Sequence, residues 1–293
     1  MLEYLQKDKK ITDLSNFKTK AFTRYYFEIH NRQDIDKLFE IYNFSKNNNL
    51  KILFIGGGTN LLFAFEKFNG IIIKNCLVGW QYDFKTKILK SYSNELISDI
   101  AYNLEKKFKQ DLWHRFIGLP GSIGGAVFGN AGCFGLEIEN NFNKAEVLDL
   151  ETGKIQFFDK SQMKFSYRNS IIKELNKYFI INVEFDLSKK IEKYSSNIDN
   201  IDFRENKQPK GNSCGSFFKN PSKDISAGSL IEKVGYKGKK IGGAYFSDLH
   251  ANFLMTENNT NYKDLLTLIK KVKENVKNKY NIELINEVRI IRN

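Results

Sequence analysis

Proline, histidine and cysteine each occur only three times in this chain of 293 residues, and tryptophan twice. The cysteines, Cys76, Cys133 and Cys214, are odd in number and share no metal-ligand spacing. They read as reduced thiols of a cytoplasmic protein rather than a disulfide framework. His30, His114 and His250 are too scattered along the chain to argue for a zinc site, so no metal is expected. No apolar run approaches the roughly 18 residues of a membrane span. The N-terminal MLEYLQKDKK has no apolar stretch behind a basic start, so no secretion signal is read. Neither the dinucleotide fingerprint G-x-G-x-x-G nor the phosphate loop G-x-x-x-x-G-K-[ST] occurs, which disfavours a standard nicotinamide-binding or nucleotide-hydrolysing domain. Acidic residues are the scarcer sign: 34 Asp and Glu face 46 Lys and Arg, for a net charge of +12. The lysines are dispersed among Asp, Glu and Asn rather than gathered beside aromatics, so a nucleic-acid surface is a weak reading and an anionic small molecule suits the charge as well.

Against that background one stretch stands out. Gly118 to Gly135, GLPGSIGGAVFGNAGCFG, holds seven of the 20 glycines and one of the three prolines, Pro120. Glycine lets a second backbone or a ligand come close. Seven together imply either tight packing through small residues or a surface of backbone N–H groups of the kind that binds phosphate. A second glycine turn, Gly56-Gly57-Gly58, leaves the apolar run Ile52 to Ile55 and is followed by Thr59 and Asn60. Two such loops, roughly 60 residues apart, could clasp one large phosphate-bearing cofactor.

Periodicity predicts the supporting elements. Strands are expected at 22–29, 52–55, 71–74, 88–92 and 178–187, with a hairpin over 145–158. Helices are expected after Asp34 as a cap, over 94–108, briefly after Ala227, and most clearly over 262–280. Residues 205–222, with Pro209 and Pro221, read as a rigid loop, and 284–291 as a terminal strand. The polar break at 188–202 places a domain boundary there: residues 1–195 form one domain with subdomains of about 1–75 and 76–195, and 196–283 a second, with 284–293 returning to the first.

Six segments in order, IGGGTNLL (55–62), GLPGSIGGAVFGNAG (118–132), SYRNS (166–170), GSFFKNP (215–221), AGSLIE (227–232) and NEVRII (286–291), closely resemble the UDP-N-acetylenolpyruvoylglucosamine reductases, the MurB family, over nearly the whole chain. The resemblance implies an α+β fold: an FAD-binding, vanillyl-alcohol-oxidase/PCMH-like pair of subdomains plus an α+β substrate-binding domain. It implies NADPH-dependent reduction of UDP-N-acetylglucosamine enolpyruvate to UDP-N-acetylmuramate in peptidoglycan synthesis, by a cytoplasmic monomer with non-covalent FAD and no nucleic-acid or membrane partner. The chain resembles the shorter type, without an extra Tyr-bearing substrate loop.

Carried over by position, the resemblance assigns FAD contacts to Ile55, Gly56, Gly57, Gly58, Thr59, Asn60, Leu61 and Leu62, and to Pro120, Gly121, Ser122, Gly124, Gly125, Ala126, Asn130, Ala131 and Gly132. Hydride addition to the enolpyruvyl carbon three builds enolate charge on the substrate carboxyl, which a cation and a second polar group should stabilise. A proton must then reach carbon two. The family's arginine falls on Arg168, its proton-donating serine on Ser216 and its glutamate on Glu287; Tyr167, Lys219, Asn220 and His250 match substrate-contact positions. Two departures are local: Ile285 follows Leu284 where the family commonly has Glu, and Cys214 precedes Gly215 where it has a small residue.

Overall fold

The structure is a computed structural model that describes residues 2–189, 200–258 and 260–293. The chain forms two compact units, and neither is contiguous in sequence. The first comprises Met1–Gln6, Tyr25–Gly57 and Gly70–Asp202; the second comprises Lys7–Arg24, Gly58–Asn69 and Phe203–Asn293. Residues 7–24, 58–69 and 284–293 all group with the C-terminal third, whereas the expected domains joined 284–293 to 1–195. The boundary expected at 195/196 lies outside the described residues.

In the first unit a five-stranded antiparallel sheet runs in the order Ile155–Asp159, Phe142–Asp149, Tyr178–Asp186, Ile88–Tyr92, Trp80–Asp83. The helix Ile97–Phe108 buries Ile97, Ile100, Ala101 and Leu104, and it shares with the short helix Ile123–Phe128 and this sheet a core that includes Trp113, Phe116, Phe142 and Phe185. A second core joins Tyr25, Phe27 and Ile29 to Ile35, Leu38 and Ile41 of the helix Arg32–Asn47, and to Ile71 and Ile73. The strands Lys51–Ile55 and Lys67–Asn75 pair in parallel, with Ile55 opposite Lys74. They belong to a four-stranded sheet whose far edge is Gln6–Lys10, a strand exposed along its whole length. The helix after Asp34 begins earlier than expected: Asn31 is its N-cap, accepting from the Asp34 N–H, while the Asp34 carboxylate accepts from the His30 N–H. Each polar side chain satisfies a donor the helix cannot.

The second unit is built on a four-stranded antiparallel sheet in the order Asn212–Ser216, Phe253–Thr256, Ala244–Phe246, Lys240–Ile241. The helix Tyr262–Tyr280 covers its core with Leu265, Leu268, Ile269, Val272 and Val276. The segment expected as a long terminal strand pairs only over Arg289–Ile291, in parallel with Leu61–Phe63. Among the described residues no helix is long and apolar enough to cross a membrane.

Candidate active site

The second glycine stretch uses its glycines first to let backbones meet. Ser122 caps the helix Ile123–Phe128 by accepting from the Gly125 N–H at 3.3 Å. The Ile123 and Gly124 N–H groups donate to the carbonyls of Glu95 (2.8 Å) and Ser93 (2.7 Å). A Cβ on Gly124 would lie 2.9 Å from Ser93, and one on Gly56 would lie 2.5 Å from the Ser122 hydroxyl. The two glycine stretches therefore touch within the first unit, at Gly56 and Ser122.

The donors that remain fit the expected cofactor. Among the described residues, none accepts a backbone hydrogen bond from the N–H of Gly57, Gly58, Thr59 or Asn60, nor from that of Gly121 or Ser122. Gly58 and Ser122 are buried, so their donors call for an acceptor that the described residues do not supply. A pyrophosphate is such an acceptor. The first turn is held from beneath. Gly58 has φ of +69°, and its Cα sits so close to the Leu14 carbonyl that a Cβ would come within 2.2 Å of it. The Ser15 hydroxyl donates to the Leu61 carbonyl at 2.6 Å, and the buried Cys214 thiol to that carbonyl at 3.5 Å. Burial pushes this thiol up to about 12, so it is a neutral packing group. The Cys133 thiol donates to the Arg115 carbonyl at 3.2 Å.

The SYRNS segment is a tight turn. Ser166 and Asn169 exchange backbone hydrogen bonds at 3.2 and 3.0 Å, with Tyr167 and Arg168 at the apex. The glycine stretch holds both of its ends: Asn130 Nδ2 donates to the Ser166 carbonyl (3.1 Å) and the Ser170 hydroxyl to the Phe128 carbonyl (2.8 Å). Lys173 Nζ donates to the Arg168 carbonyl at 2.7 Å. Arg168 has φ of +58°, a conformation uncommon outside glycine and a pointer to function when the surroundings enforce it. Its guanidinium carbon lies 5.4 Å from the centre of the half-exposed Tyr167 ring. Asn130, wholly buried, also donates to Glu137 (3.3 Å) and Glu139 (3.0 Å). Burial and the Glu139 carboxyl push Glu137 above its ordinary range, while Arg168 and Asn130 pull it back. Arg168 thus acts on the Glu137 carboxyl, a neighbour that the motif alone did not reveal.

In the second unit Ser216 ends the strand Asn212–Ser216, opposite Phe253, just after Gly215 with φ of +75°. The segment 205–222, read as a loop, therefore carries the end of the helix Asn200–Lys207 and the strand Asn212–Ser216. The neighbouring Phe217 carbonyl accepts from the Glu287 N–H (2.8 Å), and the Lys219 N–H donates to the Ile285 carbonyl (2.9 Å). The Glu287 carbonyl accepts from Asn60 Nδ2 (3.3 Å), and the Asn60 carbonyl accepts from the Arg289 N–H (3.1 Å). Asn60, Glu287 and the residue after Ser216 are thus laced together. Asn252, absent from the sequence-predicted set, clamps the same loop: Oδ1 accepts from the Phe218 N–H (3.0 Å), Nδ2 donates to the Phe218 carbonyl (2.9 Å), and its own carbonyl accepts from Phe217 (2.8 Å). Its one sequence signal was a polar residue beginning an apolar strand.

The other expected substrate contacts are partly committed to the fold. Asn220 Oδ1 accepts from the Ala227 N–H at 3.1 Å. His250 Nδ1 accepts from the Asn252 N–H at 3.2 Å, and burial holds this imidazole below its ordinary range. A neutral ring with Nδ1 accepting carries its proton on Nε2.

Comparison with known proteins is consistent over the whole length. Residues 207–291 match the model of the UDP-N-acetylenolpyruvoylglucosamine reductase C-terminal domain. The reductase of that name from Bacillus subtilis is 34% identical over 263 residues, covering 88% of this chain and 85% of its own. The one from Francisella tularensis is 29% identical over 299 residues, covering 99% and 100%. The crystal structure of the reductase (MurB) from Thermus caldophilus superposes with a TM-score of 0.76 at 21% identity, covering 99% of this chain and 100% of that one, so the α+β fold is shared.

Proposed function

The chain belongs to the UDP-N-acetylenolpyruvoylglucosamine reductase family, and on that premise we propose that Arg168, Ser216 and Glu287 serve the reduction of UDP-N-acetylglucosamine enolpyruvate to UDP-N-acetylmuramate, with FAD as cofactor and NADPH as co-substrate. Its activity is that of a UDP-N-acetylmuramate dehydrogenase in peptidoglycan precursor synthesis. When bound, FAD would supply the hydride-transfer chemistry between NADPH and carbon three of the enolpyruvyl group. The N–H groups of Gly57, Gly58, Thr59, Asn60, Gly121 and Ser122 would hold its pyrophosphate, in keeping with their lack of partners among the described residues. The flavin is non-covalent in this reading, and the Cys133 thiol already has its own acceptor. The reading also carries the vanillyl-alcohol-oxidase/PCMH-like architecture of the flavin part, a cytoplasmic location and a monomeric state.

Arg168 presents its guanidinium to the substrate carboxyl, where enolate charge gathers. A turn pinned at both ends gives that cation one position and lowers the cost of ordering it. Ser216 holds the proton destined for carbon two, and Glu287 places a second polar group at the carboxyl. Lys219 stands three residues beyond Ser216 and would favour the serine's release of its proton. Tyr167, Asn220 and the Nε2–H of His250 remain the proposed contacts to the nucleotide sugar.

The observation that carries this reading is the lacing of Glu287 to both Phe217 and Asn60, which joins carboxyl, serine loop and first glycine turn in one unit. The test is anaerobic stopped-flow on Ser216→Ala. Flavin reduction by NADPH should keep its wild-type rate, while reoxidation by the enolpyruvyl substrate should slow by about 10²–10⁴-fold. Normal rates in both half-reactions would remove Ser216 from the mechanism.

A further inference from the structure

We propose that Glu28, His30 and Cys76 form a binding site for a zinc-class divalent metal ion in the first unit, separate from the residues assigned to the reductase chemistry. A carboxylate oxygen, an imidazole nitrogen and a thiol sulfur of these three lie within 4.8 Å of one another, and among the described residues no other group of three such donors converges. Cys76 lies far along the chain from Glu28 and His30, and only the fold brings it to them.

The backbone sets up the cluster. Glu28 and His30 are two apart at the end of the strand Phe22–Ile29, so their side chains leave on the same side. The Cys76 N–H donates to the carbonyl of Ile29, the residue between them, at 2.8 Å. That bond fixes the thiol beside the pair. The His30 N–H is held by the Asp34 carboxylate at 3.0 Å. Glu28 is oriented from behind: the buried Tyr26 hydroxyl donates to Oε1 at 2.7 Å, leaving Oε2 to meet His30 Nε2 at 2.8 Å. A ligating carboxylate held by an outer hydrogen bond is the usual arrangement around protein metals.

An ion pair would account for Glu28 and His30 but gives no role to a thiol at the same point. The mixed donor set of oxygen, nitrogen and sulfur suits zinc and its neighbours rather than magnesium or calcium. Metal–ligand distances of about 2.0–2.3 Å place donors roughly 3.3–3.8 Å apart in a tetrahedron. The imidazole and carboxylate must therefore part by about half an ångström and the thiol move in, which side-chain rotation allows at this half-exposed position. On binding, the thiol loses its proton to solvent as the sulfur–metal bond forms, and water takes the open fourth position. Lys74 is the nearby opposing charge. Its Nζ is bonded to the Gly56 carbonyl at 2.6 Å, and it faces both Cys76 and Glu28. It assists thiolate formation but repels the metal, so the site is weaker than an all-anionic one.

The test uses tag-free, flavin-loaded protein freed of metal by a chelator. Zinc is titrated in competition with a chromophoric chelator, and cobalt(II) is titrated separately to read sulfur ligation from thiolate-to-cobalt absorption. One equivalent should bind. Cys76→Ser and His30→Gln should each weaken binding by more than about 100-fold, beyond the range of an outer-shell change, whereas Tyr26→Phe should cost about 10-fold. Cys133→Ser should bind like wild type, and Lys74→Met should bind more tightly. Matching metal-free melting curves for Cys76→Ser and wild type keep the loss from being one of folding. Absence of stoichiometric zinc binding, or undiminished binding by Cys76→Ser, would overturn the proposal.

Discussion

The two glycine stretches look alike in sequence and differ in what their backbones do. In Gly118–Gly135 the N–H groups of Ile123, Gly124 and Gly125 are committed to Glu95, Ser93 and Ser122, and the glycines let the chains approach. In the shorter Gly56–Asn60 turn, four successive N–H groups have no backbone acceptor among the described residues. Glycine count is thus a poor guide to anion binding. The informative quantity is how many donors remain once the fold has taken its share. Where the longer stretch enters its helix it leaves Gly121 and Ser122, and the shorter leaves most of its length.

Substitutions can break or sharpen this contrast. The largest effect should come from Gly58→Ala, since a Cβ would meet the Leu14 carbonyl at 2.2 Å on a residue with φ of +69°. Neither backbone segment can yield, and denaturant unfolding should show a loss of about 3 kcal/mol or more. Asn130→Ala comes next. It removes one buried donor group from three acceptors and places alanine at φ of +43°. We expect about 2 kcal/mol of lost stability, with slower flavin reoxidation by substrate because the Arg168 turn loses its anchor. Gly124→Ala, pressed 2.9 Å from Ser93, should cost about 1–2 kcal/mol by the same unfolding measurement. Gly125→Ala should be smallest. Its Cβ meets only the Ser122 hydroxyl, at 3.3 Å, on an exposed helical position. Stability should stay within about 1 kcal/mol of wild type while flavin affinity falls. Unchanged flavin affinity in that variant would mean that both neighbouring glycines serve packing alone.

Much of the frame was legible. The apolar spacing of Leu265, Leu268, Ile269, Val272 and Val276 marked the helix Tyr262–Tyr280 to its last residue, and aromatic and β-branched runs marked Phe22–Ile29 and Ile88–Tyr92. Elements without a periodic signal were missed. Gln6–Lys10 is polar on both faces, and Leu61–Phe63 is only three residues long and wholly buried. The terminal strand was overestimated because 285–288 form irregular bonds to 217–219 before regular pairing begins. At the site, Arg168, Ser216 and Glu287 came from motif resemblance, which names residues but not their supports. Asn130, Glu137, Glu139 and Asn252 are isolated polar residues whose partners lie elsewhere in the chain, so only the folded structure reveals them.

The exposed strand Gln6–Lys10, with the sequence QKDKK, bears on the surplus of positive charge. A sheet edge is a template on which a second chain can add a strand, the first step toward aggregation. Here the edge carries three lysines and is kinked at Asp8, whose φ is +50°. Charge and kink together make it a poor template. Part of the basicity that invites thoughts of a polyanionic partner therefore acts as a gatekeeper, keeping crowded copies of the protein from zipping together edge to edge.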